Sequence, residues 1–270
     1  MNRPEAPEIP DVQSHADVRE LAIDRVGIRG LRYPMRFADG NGELLSTIAS
    51  CNVYVALPAE RKGTHMSRLV SVIDEMTDPL SIATLPALLQ TLLSRLESDA
   101  GSIEFAFPWF LRKMAPVSGV QSMMDYEVRL AAEAADGKRT LDVSVIVPVM
   151  SLCPSSKAIA DYGAHNQRSH LTLGVRPRAN ATFSLHELIT LAEEEASCDL
   201  YGLLKRADEK YVTERAYERP RFVEDLVRGI AARVIEDPRF EAFSIAAENF
   251  ESIHNHSAYA EIVRTPGDKR

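Results

Sequence analysis

LDVSVIVPVMSLCPSSKAIADYGAHNQRSH, residues 141–170, is the stretch from which the rest of the chain is read. Leu141, Val143, Val145, Val147 and Val149 recur at every second position, the period of a strand that buries one face. Pro148 and Pro154 then interrupt regular structure. The strand is therefore expected to end in a loop carrying Cys153, with His165 returning a dozen residues later. A lone cysteine is most often a small buried hydrophobe. A core strand, however, has no use for Lys157, His165, Asn166, Gln167, Arg168 and His170 in quick succession. A thiol and an imidazole on such a loop suit a borderline-soft metal such as zinc, or a cysteine nucleophile beside a base, and spacing alone does not separate the two.

Working outward, the N-terminal side offers an imperfectly alternating run from Leu21 to Phe37 that contains Gly27 and Gly30 and reads as a bent strand. Asp39-Gly40-Asn41-Gly42 is a turn signal, and Leu44 to Leu57 reads as a second strand with Val53 and Val55 on one face. Ser67–Met76 and Thr84–Ser98 read as helices. In the second, Leu85, Leu88, Leu89, Leu92, Leu93 and Leu96 form a core-facing stripe. Ile103–Phe110 and Val120–Leu130 read as strands, and Asp136-Gly137 as a turn. On the C-terminal side, strands at 138–150 and about 167–176 precede a helix from Ser184, where Ser184 and Glu187 form a capping-box pattern. Helical pieces cover about 186–215 and 221–236, with Pro220 near the first turn of the last. Strands return at about 240–250 and 257–264.

Each half thus runs strand, strand, helices, strand, strand, with no residue-level self-similarity between them. The expected class is α+β. A Pro-rich, acidic arm at 1–19, taken as flexible, would precede one unit at 20–135 and another at 136–270.

The 270 residues are enough for one large or two modest domains, and 45% of them are apolar, so a sizeable core can form. The formal charge of −8, from 31 basic and 39 acidic residues, argues against a nucleic-acid or membrane-surface binder but allows a local basic pocket. Cys51, Cys153 and Cys198 are odd in number and far apart, which is no disulfide framework and fits a reducing cytoplasm. MNRPEAPEIPDVQSHADVRE has no apolar segment of the signal-peptide kind, and no run approaches the roughly 20 residues of a membrane span.

Three further clusters carry chemistry. Arg61-Lys62-Gly63-Thr64-His65-Met66-Ser67-Arg68 reads as a solvated basic loop opening a helix. It reads equally as a phosphate site, with charge from Lys62 and Arg68, donors from His65 and Ser67, and the dipole of a helix N-terminus. Glu209 and Glu224 lie on charged helical segments, where surface acids are ordinary. Glu251-Ser252-Ile253-His254-Asn255-His256 puts two imidazoles one residue apart, which on a strand would point the same way. Their unperturbed pKa lies near neutrality, so either can give or take a proton.

SLCPSSKAIADYGAHNQRS resembles the signature of the type IB GTP cyclohydrolases, the metal-dependent FolE2 enzymes of folate biosynthesis. LPAERKGTHMSRLV (Leu57 to Val70), LYGLLKRADEKYVTERAYERPRFVED (Leu200 to Asp225) and ENFESIHNHSAYA (Glu248 to Ala260) resemble further motifs of that family in the same order. Many members carry a second cysteine two places after the first, where this chain has Ser155. The resemblance implies a tunnelling fold of two tandem ββααββ units, antiparallel sheets with helices on one face, assembled as a barrel-like oligomer, a homotetramer. It implies that Cys153, His165 and Glu209 hold one divalent ion (Zn²⁺, Mn²⁺ or Fe²⁺) with a position left for water. Glu224 would anchor the guanine edge, and Lys62, His65 and Arg68 would hold the triphosphate, from a neighbouring subunit. His254 and His256, with Glu251 orienting one of them, would handle proton transfer. The implied reaction opens the imidazole ring of GTP at C8, releases formate and recloses to 7,8-dihydroneopterin triphosphate. Two other classes stand beside it: an NADPH-dependent nitrile reductase of queuosine synthesis on the same fold, using Cys153 as nucleophile, and a non-catalytic purine- or pterin-binding module.

Overall fold

The computed structural model describes residues 11, 13 and 15–268. Its strands are β1 (Ile23–Ala38), β2 (Leu44–Leu57), β3 (Gly101–Met114), β4 (Gln121–Ala135), β5 (Lys138–Leu152), β6 (Asn166–Pro177), β7 (Cys198–Asp199), β8 (Phe240–Asn249) and β9 (Ala258–Arg264). They form one nine-stranded sheet in the order β1-β2-β3-β4-β5-β6-β8-β9, with β7 paired to β5. Every pairing between these strands is antiparallel. The helices are α1 (Met66–Asp74), α2 (Leu85–Leu96), α3 (Pro154–Ile159), α4 (Leu185–Glu195), α5 (Arg206–Glu218) and α6 (Val223–Glu236). An antiparallel sheet with helices on one face is the α+β architecture that the alternation predicted.

The period-two pattern of β5 does what it promised. Val143, Val145, Val147 and Val149 are fully buried, in one core with Leu171 and Leu173 of β6, Ile245 of β8, Leu89 and Leu92 of α2, Leu188 of α4 and Ile230 of α6. Burying each such side chain is worth roughly 1.5–3 kcal/mol against leaving it exposed. The two halves of the chain meet at the β4–β5 hairpin, where Ala135 faces Lys138 across a two-residue loop. Asp136 and Gly137 both take positive φ there, +52° and +71°, the backbone of a tight hairpin turn whose twist matches that of the strands. The bend expected in β1 is a register shift between Ile28 and Leu31, with Gly30 in the left-handed region.

The capping box forms as read: the Glu187 amide donates to Ser184 Oγ at 3.1 Å, and the Ser184 amide to Glu187 Oε1 at 3.0 Å. A second cap comes from the other half of the chain, since the Leu185 amide donates to the buried Asp39 Oδ1 at 2.9 Å.

Three expectations are corrected. Cys153 is the N-cap of a six-residue helix, α3, where a plain loop was expected. Pro220 lies ahead of the α6 N-cap, Phe222, and so outside the helix it was expected to open. His254 and His256 lie in a loop of bends rather than on a strand, because the β8–β9 ladder closes at Asn249–Ala258. Of the expected arm, residues 1–10, 12 and 14 lie outside the described residues, and others make backbone hydrogen bonds to the segment after β2. Lys62 N donates to His15 O at 3.0 Å, Gly63 N to Gln13 O at 3.1 Å and Asp17 N to Glu60 O at 3.1 Å.

The register defines two ends of the sheet. Val55, Gly101, Ala134 and Arg139 share one level. Leu152 with Asn166 and Ser169 with Asn249 mark the other.

Candidate active site

The loop after β5 is sewn into a fixed shape by its own small polar residues. Cys153 N donates to His165 O at 3.1 Å, so the segments bearing the thiol and the imidazole touch through their backbones. Ser156 makes three of the remaining stitches. Its amide donates to Cys153 Sγ at 3.4 Å, its hydroxyl to Cys153 O at 3.1 Å, and it accepts the His165 amide at 3.2 Å. Both Cys153 and His165 are half-buried.

His165 Nδ1 faces Gln167 Oε1 at 2.9 Å, Ser252 Oγ at 3.1 Å and Glu251 Oε2 at 3.9 Å. The Glu251 side chain is only 12% exposed, and its Oε2 has no hydrogen-bond partner among the described residues. A buried carboxylate oxygen without a donor is costly, so its retention beside an imidazole marks a place built for something besides packing. His170, in the same motif, is a neighbour of another kind. Burial, then the Arg168 charge, lowers its pKa against the pull of Glu248, and its ring stands edge-on to Phe250 at 4.7 Å.

The other two cysteines are not candidates. Both are fully buried, and burial pushes the Cys51 thiol up to about 12 and the Cys198 thiol to about 11. Cys153 is left as the accessible thiol.

Glu209, Glu224, His254 and His256 reach this same end of the sheet on different elements. Arg221 N donates to Leu152 O at 3.0 Å, which docks the start of α6, and with it the exposed Glu224, against the end of β5. The C-terminal turn of α5 packs on α3, where Lys157 Nζ sits 4.3 Å from the Tyr217 ring centroid. Glu209 lies in the first turn of α5, exposed. Its neighbour Asp208 is fully buried and accepts from Val117 N, Ser118 N, Ser118 Oγ and Lys205 N at 2.6–2.9 Å. Burial opposes the charge of Asp208, but the Ser118 hydroxyl and these amides outweigh it and hold the carboxyl well below its ordinary range. The His254 and His256 rings stack at 5.2 Å and 17°, both exposed.

The structure therefore brings His165 beside Glu251 through their side chains and beside Cys153 through their backbones, with Glu209, Glu224, His254 and His256 at the same end of the sheet. Among the described residues no three His, Cys, Asp or Glu side chains converge closely enough to form a ligand set. Glu209 thus shares the end with Cys153 and His165 without joining them. Thiol and imidazole remain a donor pair suited to a borderline-soft divalent ion, and an exposed carboxylate nearby suits a third position.

Lys62, His65 and Arg68 lie elsewhere. They follow β2 at the opposite end of the sheet, at the level of Arg139, where β5 begins. The 13 residues from there to Leu152 span about 43 Å of strand at roughly 3.3 Å per residue. His65 is the N-cap of α1, 3.3 Å from Asp11, and with Arg68, Arg61 and Thr64 it lines a cavity of about 270 Å³. Lys62 is exposed beside it.

A buried ionic knot that sequence reading did not anticipate underlies the Cys153 end. Lys113 Nζ contacts Glu193 at 2.8 Å, Asp199 at 2.9 Å and Leu200 O at 2.9 Å, and Tyr126 OH donates to Glu193 at 3.1 Å. Burial raises the Glu193 carboxyl against the pull of Lys113. It also works on Asp199, which Lys113 and Tyr201 nonetheless hold below the ordinary value. The knot ties β3 and β4 to α4 and to β7, which pairs with the last residues of β5. No sequence signal marks it, because its partners are 67 to 87 positions apart.

The family model described as "Type I GTP cyclohydrolase folE2" matches residues 9–260. The chain is 57% identical over 262 residues to GTP cyclohydrolase FolE2 of Ralstonia nicotianae, covering 97% of this chain and 96% of that one. It is 55% identical over 263 residues to GTP cyclohydrolase FolE2 1 of Dechloromonas aromatica, covering 97% and 98%. Among solved structures, uricase from Arthrobacter globiformis superposes with a TM-score of 0.52 at 8% identity, covering 91% of this chain and 94% of that one. A urate oxidase mutant from Bacillus sp. TB-90 gives 0.54 at 8% identity, covering 90% and 100%. At that identity the likeness shows the fold alone, the tunnelling fold.

Proposed function

The chain belongs to the FolE2 family of type I GTP cyclohydrolases, and from that premise we propose a metal-dependent site at the Cys153 end of the sheet, completed by a second copy of the chain. The activity is that of the family, hydrolysis of GTP to 7,8-dihydroneopterin triphosphate and formate, the first step of tetrahydrofolate biosynthesis. Cys153 Sγ and the His165 imidazole would hold one divalent ion, Zn²⁺, Mn²⁺ or Fe²⁺, and Glu209, which stands apart from them among the described residues, would have to close on the ion to complete the set. When bound, such an ion supplies Lewis acidity toward water at neutral pH.

The chain's own groups do the rest. Glu224 accepts the N1–H and N2–H donors of the guanine edge, a two-point match that fixes the base. Attack at C8 places negative charge on the purine, and His254 or His256 delivers a proton at N7. Glu251, expected to orient His254 or His256, instead faces His165 Nδ1 at 3.9 Å and orients that ring. Lys62, His65 and Arg68 bind the triphosphate. Their position some 43 Å along the strand from Cys153 supports their reaching the site from a neighbouring subunit.

Among the described residues the outer edge of β9 pairs with no strand and that of β1 carries only the Phe37–Leu80 bridge, and such open edges support assembly, since an unpaired edge is a template for another chain. A homotetramer whose barrels form from the units 20–135 and 136–270 would close them. The cysteine usage supports a cytoplasmic setting. Among the described residues no helix is long and apolar enough to cross a membrane.

The observation that carries this reading is the Cys153–His165 contact beside the unpartnered Glu251 oxygen. The test is to strip the purified protein with chelator, reload it with Zn²⁺ or Mn²⁺ and add GTP. Formate and an oxidisable, fluorescent pterin should appear only after reloading. Turnover indifferent to chelation would remove the metal from the scheme.

A further inference from the structure

We propose that Gln167 fixes the His165 imidazole in the tautomer that carries its proton on Nδ1, leaving the Nε2 lone pair as the donor, so that Gln167 is a positioning residue of the site. The apolar stripe on the covered face of β5 and β6 changes character where it nears Cys153. Val149 is followed on that face by Ser151, and Leu171 is preceded by Ser169 and Gln167, all of them buried. Polar groups there are tolerable only when bonded, and these three bond to one another. Ser151 Oγ lies 2.6 Å from Ser169 Oγ, and Gln167 Nε2 donates to Ser151 Oγ at 3.2 Å. With its nitrogen engaged that way, Gln167 turns Oε1 toward His165 Nδ1 at 2.9 Å. A carbonyl oxygen only accepts, so Nδ1 is the protonated nitrogen.

The amide could in principle be reversed, since the serine hydroxyls rotate to suit either direction. Glu251 decides between the two. Its buried, unpartnered Oε2 lies 3.9 Å from Nδ1. A carboxylate there favours an N–H facing it and disfavours the lone pair that the reversed amide would require. Ser252 Oγ, 3.1 Å from Nδ1, can donate or accept and favours neither. In metal sites a histidine usually donates its other N–H to such a partner, which fixes the ring and raises its basicity. The consequence for metal affinity rests on the proposed ligand role of His165, whereas the tautomer does not.

The test uses metal-free protein labelled with ¹⁵N at histidine, in solid-state spectra that separate a protonated ring nitrogen from a bare one. The His165 signals are assigned by their loss in His165→Gln. The wild-type ring is expected to be protonated on Nδ1. Gln167→Leu should shift the population toward Nε2–H and weaken zinc binding about 10–100-fold, measured by chelator competition. Gln167→Glu keeps an acceptor at that place and should retain the tautomer with near-wild-type affinity. A wild-type ring protonated on Nε2 overturns the proposal without any variant. So does a Gln167→Leu protein that keeps both tautomer and affinity. If the tautomer behaves as expected but zinc binding is unmoved in Gln167→Leu and in His165→Ala alike, the tautomer assignment stands and the metal role of His165 falls.

Discussion

The two ends of the sheet are built on opposite plans. At the Cys153 end, polar side chains take over the core-facing stripe, and each is tied to a neighbour within the chain, from Ser169 through Ser151 and Gln167 to His165. At the other end, Lys62 and Arg68 stand exposed at the mouth of a helix, with little but His65 and the N-terminal arm to hold them. One end is set before any ligand arrives; the other waits for one. Pre-organised groups suit bond-making chemistry, where a small misplacement is expensive, and exposed cations suit a flexible polyanion. The separation of the ends along the strand exceeds what a single nucleotide spans, so the proposed triphosphate role of Lys62 and Arg68 requires a second copy of the chain.

The sharpest way to break that contrast is to disable one end at a time. Cys153→Ala should abolish metal retention and turnover, while Lys62→Ala with Arg68→Ala should leave the metal in place and raise KM steeply. Dissociating the two variants and reassembling them together should restore activity, because hybrid oligomers regain intact sites. Absence of recovery in hybrids verified by mass spectrometry would mean that the ends do not cooperate across copies.

A second prediction concerns what the rigid end rests on. Lys113→Met leaves Glu193 and Asp199 buried without their cation and should cost about 3–5 kcal/mol of stability in denaturant titration. A loss below 1 kcal/mol would show that the Cys153 end holds its shape by hydrogen bonds alone. Smaller again is the effect at the base pocket. Glu224→Gln removes the charge that accepts two donors and should raise KM about 10–100-fold, the equivalent of one charged hydrogen bond, with metal content unchanged. Unaltered kinetics would return Glu224 to the ordinary surface acids.

The strand periods, the turns at Asp39–Gly42 and Asp136-Gly137 and the Ser184 capping box were legible because each is a local signal whose physics spans a few residues. The motif at 151–170 stood out because its polar density is unlike that of an apolar strand, although its last residues, from Asn166, open β6. The division of that density was not legible. Gln167 looked like one more polar residue until its partner Ser151, 16 positions earlier, was known. The change from Val149 to Ser151 on the buried face was visible and could have marked the place, but not its hydrogen bonds. Lys113 gave no sign at all, since its meaning depends on acids 80 and 86 positions away. The expected strands at about 240–250 and 257–264 already left His254 and His256 between them, and their spacing alone does not reveal that the two rings stack in a loop.

Asp208 and Glu209 repeat the contrast of the two ends within two residues, and they give the finest test of it. Asp208 is saturated by four donors that pin the β3–β4 loop to α5, whereas Glu209 faces solvent. A carboxyl held below its unfolded value contributes stability that is complete above that value, roughly pH 4, and is lost as pH falls toward the depressed one. Melting temperature followed from about pH 6 down to pH 3 should therefore fall less steeply in Asp208→Asn than in wild type, from a lower starting point. Glu209→Gln should lower metal affinity. Parallel acid limbs in wild type and Asp208→Asn would mean that Asp208 is not the fixed partner of this pair, and an unchanged metal affinity in Glu209→Gln would mean that Glu209 is no ligand.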